Sequence, residues 1–78
     1  MNEQFDFGTA TEYLREGREV RRANWGDPDS YIRIEFASVK RKDKICKDYI
    51  EIRTKNAYFM PWAPSHTDLL SKDWTLMM

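Results

Sequence analysis

The only histidine in this 78-residue chain, His66, lies between Ser65 and Asp68. A histidine near a carboxylate is the minimum for general acid–base work, and a serine beside a histidine is part of a nucleophilic triad. Neither reading goes far. No third group in the sequence is placed to orient the imidazole. Ser65-x-x-Asp68 also spells a capping box, in which the serine accepts from the Asp68 N–H and the carboxylate sits in the first helical turn. No catalytic residue is therefore assigned. Metal chemistry has less to draw on, since one Cys46 and one His66 fall short of the three or four ligands of a zinc site. Three glycines form no phosphate-cradling motif. No cofactor and no metal are expected.

What remains is a mixture suited to binding. Arg22, Asn24 and Trp25 stand close together in a loop region, and Ser65, Thr67 and Asp68 gather at a helix start. A purine nucleotide asks for such a set: an aromatic plate for the base, a cation for phosphate, and amide, hydroxyl or carboxylate groups for base edges and ribose. Stacking on an aromatic ring is worth roughly 1–3 kcal/mol per base. A helix N-terminus can hold an anion, but Asp68 would oppose a phosphate placed there and suits a ribose diol or an adenine amine better. Trp25 has an ordinary alternative as a lid on the core.

These residues need a frame. Asp6 can cap a helix over Phe7 to Glu16, with Phe7, Ala10, Tyr13 and Leu14 forming its apolar stripe and Gly17 at the left-handed C′ position. Phe5 and Ala10 can form a weak hydrophobic staple. Glu19 to Ala23 reads as a short strand with Val20 and Arg22 on one face and Arg21 on the other. Asn24-Trp25-Gly26-Asp27-Pro28-Asp29 is a loop in which Gly, Asn and Asp can supply positive φ. Tyr31 to Val39 and Tyr49 to Thr54 alternate, with Ile32, Ile34, Phe36, Ile50 and Ile52 inward and Tyr49, Glu51 and Arg53 outward. They read as an antiparallel hairpin whose basic tip, Lys40 to Lys47, is solvated. Tyr58 to Met60 makes a further strand, Pro61 and Pro64 brace a corner, a short helix covers Thr67 to Ser71, and Trp74 to Met77 closes the sheet. The fold class is α+β: an N-terminal helix packed on a four- to five-stranded antiparallel sheet, with a short second helix near the C-terminus.

Composition bounds the remaining classes. A chain this short reads as one domain, residues 1–78, and buries only about 60% of its unfolded surface. Eleven aromatics and four methionines favour a homo-oligomer that supplements a small core. Thirteen basic residues balance thirteen acidic ones, which argues against a nucleic acid polymer as partner. No apolar run reaches a membrane span, no signal peptide is spelled at the N-terminus, and a lone Cys46 suits a reducing, cytoplasmic setting.

The stretch MPWAPSHTDLLSKDW from Met60 to Trp74 resembles the C-terminal signature of small phage proteins, the second type of Thoeris anti-defence protein: Pro-Trp-x-Pro-Ser-x-x-Asp-Leu-Leu-x-x-Asp-Trp. The Phe-led helix ending at Gly17 and the basic strand running into Arg22-x-x-Trp25 are similar as well. The resemblance implies a sponge that binds a cyclic ADP-ribose-type signal, with cyclic dinucleotides as further ligands, and holds it without cleavage in the host cytosol. It implies a homo-oligomer, commonly a tetramer, with sites completed by neighbouring subunits. Trp25 matches the family's loop tryptophan, expected to stack on the base, and Ser65 and Asp68 match its Pro-Ser-x-x-Asp positions. A protein–protein inhibitor or phage accessory module using exposed aromatics is the alternative, and an enzyme degrading the signal is a third reading.

Overall fold

The computed structural model describes residues 3–36 and 48–77. Helix α1, Phe7–Arg15, begins where the Asp6 carboxylate accepts from the Thr9 N–H at 2.8 Å. It ends in a turn where Gly17, at φ 86°, takes the left-handed position that a side chain would oppose. Ala10 and Leu14 are fully buried, which is the helical stripe read from the sequence.

Five strands follow: β1 (Val20–Arg22), β2 (Tyr31–Glu35), β3 (Tyr49–Arg53), β4 (Phe59–Pro61) and, after helix α2 (His66–Leu70), β5 (Trp74–Leu76). All pairings are antiparallel, in the order β4-β3-β2-β1-β5. The N-terminal helix, antiparallel sheet and short second helix are thus as the sequence indicates. Of the expected strand over Tyr31 to Val39, Tyr31–Glu35 is strand and Phe36 is not, while residues 37–39 and the Lys40–Lys47 tip lie outside the described residues. Helix α2 is capped by Ser65, as the capping box spells, and runs over His66–Leu70, one residue ahead of the expected Thr67 to Ser71.

Pro61 is accommodated because β4 is an edge strand, whose unpaired side needs no donor. At the opposite edge, Phe5 exchanges backbone hydrogen bonds with Trp74, covering part of β5. The chain leaves one edge at β4 and returns at the other as β5. This crossover carries α2 over the same face as α1. Between helices and sheet lie Ala10, Leu14, Val20, Ile32 and Trp74, all at 0% exposure, with Phe7, Trp25, Ile52 and Trp62 packed around them.

Two expectations need correction. Glu51 does point away from the helices, but it is buried, because Arg33 lies against it at 2.6 Å. The loop after β1 contains no positive φ among its residues; outside glycine the only one described is Ala57, at 63° in the β3–β4 turn.

Candidate functional site

Trp74 is the fixed point of the site. Its ring is wholly buried, and its indole N–H donates to the Asp68 carbonyl at 3.0 Å, tying β5 to α2. Trp25 and Trp62 pack on it edge-on, with centroids at 5.6 and 6.0 Å and interplanar angles of 78° and 83°. They meet each other at 6.4 Å and 68°. Edge-to-face rings at these separations attract through their quadrupoles. Trp25 and Trp62 remain half-buried, so each has one side on the core and another free.

Those free sides wall a cleft of about 320 Å³, within the range of small-molecule sites. Ile52 also lines it, and Gly26, Asp27, Ser30 and Asp68 supply its polar rim. A smaller depression, about 210 Å³, lies between α1 and the β2–β3 pair against Leu14, Ile34 and Ile50. It is lined by none of the residues that the sequence offers for binding.

The carboxylates of the cleft are held ionised. Asp27 accepts from the Asp29 N–H at 3.0 Å and from the Ser30 hydroxyl at 2.8 Å, which keeps it below the ordinary aspartate range. Burial pushes Asp68 up, but the Ser65 N–H and hydroxyl, together with Arg22, outweigh it and bring Asp68 below its usual value. Asp68 is therefore a cap, an ion-pair partner and a cleft residue together.

The sequence-predicted site residues separate on this geometry. Trp25 and Asp68 line the cleft. Arg22 lies behind Asp68, its Nη1 at 3.1 Å from Asp68 and its Nε at 3.0 Å from Asp73. Burial works against its charge, and the two carboxylates more than restore it. Asn24 is exposed and uses its backbone N–H on Asp73. Ser65 is the N-cap, and exposed Thr67 accepts from the Ser71 hydroxyl through its carbonyl. None of Asn24, Ser65 and Thr67 lines the cleft. Trp62, Asp27 and Ser30 do, and sequence reasoning passed over them as site residues. Trp62 stands inside the signature Pro61-Trp62-Ala63-Pro64 and was the one with a visible signal.

This assembly is built from the signature stretch and the loop after β1. The Thoeris anti-defense 2-like domain model matches residues 5–77. The chain belongs to the Thoeris anti-defense 2-like domain family. It is similar to Thoeris anti-defense 2 of Bacillus phage SP01, 27% identical over 93 residues and covering 99% of both chains. Membership in a Thoeris anti-defense family supports a role in blocking Thoeris defence.

Proposed function

We propose that the chain blocks Thoeris defence by binding a cyclic ADP-ribose-type signal in the tryptophan cleft and holding it uncleaved. The observation that carries this reading is the edge-on pair Trp25 and Trp62 with Asp27, Ser30 and Asp68 at their rim. One indole offers its face to a base while the other closes its edge. The ionised carboxylates accept from an exocyclic amine or from ribose hydroxyls, and charge-assisted bonds of this kind are strong.

Among the described residues, no basic side chain lines the cleft. The pyrophosphate of such a ligand is therefore assigned to the cleft mouth, where a neighbouring subunit supplies the cation in the homo-oligomer, a tetramer by family likeness. His66 is exposed and lies outside the cleft lining, which favours retention over cleavage. The setting of this action is the cytosol of the infected host.

A second reading is favoured by one feature, the apolar exposure near β4 and α2: Tyr58 is 68%, Met60 50% and Leu70 81% exposed. Under it the chain is an inhibitor that docks on a host protein. The experiment is incubation with cyclic ADP-ribose, its isomers and cyclic dinucleotides, removal of free ligand, heating, and mass spectrometry of what is released. Sequestration returns the intact cyclic mass. Linear product accumulating with time indicates an enzyme, and no retained nucleotide indicates the protein-docking reading.

A further inference from the structure

The wall of the cleft stands on a loop whose shape needs a cause. Residues 24–30 contain no positive φ, and a Cβ added to Gly26 would meet nothing within 4 Å. Glycine freedom therefore does not set this loop. Hydrogen bonds do: Asp27 folds the second half of the loop by accepting from Asp29 and Ser30, and Arg21, which alternation on β1 turns away from the Arg22 side of the sheet, ties the two halves together. Its Nη2 donates to the Trp25 carbonyl at 2.9 Å and to the Asp27 carbonyl at 3.0 Å. The first bond fixes the peptide that carries the indole, and the second fixes the residue that carries the rim carboxylate. Trp25 is held from its other side by its own N–H to the Arg22 carbonyl at 3.2 Å. Arg53, half-buried on β3, adds a further strap by donating to the Asp29 carbonyl at 3.0 Å.

Arg21 also spends something for this position, because its Nε is buried with no hydrogen-bond partner. A buried guanidinium donor without a partner is costly, and the two carbonyl bonds are what the placement returns. We infer that Arg21 is the positioning residue of the ligand cleft: it presets Trp25 and Asp27 in the unliganded protein and so raises affinity without touching the ligand. A preset wall saves the ordering cost that a loose loop incurs on binding. As a statement about ligand affinity this rests on the sequestration reading; as a statement about loop order it does not.

The test uses the full chain and two variants, R21M and R21K. The first keeps the aliphatic stem and removes every donor; the second keeps a cation that can bond one carbonyl or both. Order parameters of the Trp25 indole N–H and the loop amides are measured without ligand, and affinity for cyclic ADP-ribose and its isomers is measured by calorimetry. The R21M variant is expected to lower order in the loop from about 0.85 toward 0.6 and to weaken binding tenfold or more, with R21K recovering part of both. Should R21M fail to fold, R21K decides, with intermediate loop order and intermediate affinity expected. Wild-type loop order in the variants overturns the inference, whatever the affinity. Loosened loops with unchanged affinity overturn its functional half. A wild-type protein that ignores every probe defeats the sequestration reading instead, and Arg21 is then judged by loop order alone.

Discussion

Arg22 and Arg33 lie on neighbouring strands of one sheet and face opposite sides of it. Arg22 points under α2, where its side chain is 10% exposed and bridges Asp68 and Asp73. Arg33 points to the face without helices. There it is 36% exposed, bonds Glu51 at 2.6 Å and lies 4.4 Å from the Phe59 ring centroid. The sequence shows two similar arginines on alternating strands. The structure makes one a buried tie between β1, α2 and the turn before β5, and the other a wet lid over a carboxylate. Breaking a buried pair leaves an uncompensated charge, whereas an exposed cation that leaves lets water in. The helix side thus holds the cleft beside a buried ionic tie, and the open side holds a more exposed pair.

The largest effect should come from the buried tie. R22M leaves Asp68 and Asp73 facing an apolar stem, and the expected loss is roughly 3–5 kcal/mol of folding stability. Chemical denaturation would measure it. A loss below about 1 kcal/mol would make the two arginines equivalent and remove the contrast.

Truncating the wall should affect binding more than folding. In W25A, loss of the stacking plate should weaken affinity about a hundredfold, on the order of 3 kcal/mol. The folding cost should be about 2 kcal/mol, less than the 3–5 kcal/mol of a wholly buried aromatic. Melting and affinity measured on one sample separate the two roles. Unchanged affinity with lost stability would make Trp25 a core lid only.

Acid sharpens the contrast. Because the folded pKa of Asp68 is lowered, its contribution is present above the unfolded value near 3.9 and is lost as pH falls through the folded value. Stability measured from pH 5 down to pH 2 should decline accordingly, and D68N should flatten the decline. Identical slopes in both proteins would show that Asp68 is not a source of acid sensitivity. The smallest effect is expected at the open face. R33A, which also removes the stem covering Glu51, should cost about 1 kcal/mol or less, since water then reaches the Glu51 carboxylate.

Much of the frame was legible in local signals. Asp6 and Gly17 bracket α1, the alternation of Ile32, Ile34, Ile50 and Ile52 marks the hairpin, and Ser65 with Asp68 marks the start of α2. Each of those is decided within a few residues. The site depended on what is not local. Arg22 meets Asp73 because β5 returns beside β1, 51 positions later in the chain, and strand order is not spelled in any window of sequence. For the same reason the free cation expected at Arg22 was consumed. Trp62 reaches the cleft through the crossover between sheet edges, and Glu51 is buried between Arg33 on β2 and Pro61 on β4. The positive φ expected in the Trp25 loop is absent because Arg21 and Asp27 shape that loop by hydrogen bonding.

The central claim, that the helix-side cleft and not the open face takes the ligand, is tested most directly by titrating the 15N-labelled protein with cyclic ADP-ribose isomers. The indole N–H resonances of Trp25 and Trp62 and the amides of Asp27 and Ser30 should shift together and saturate. Those of Arg33, Glu51 and Phe59 should stay in place. Shifts confined to Arg33, Glu51 and Phe59, with Trp25 and Trp62 unmoved, would contradict the account.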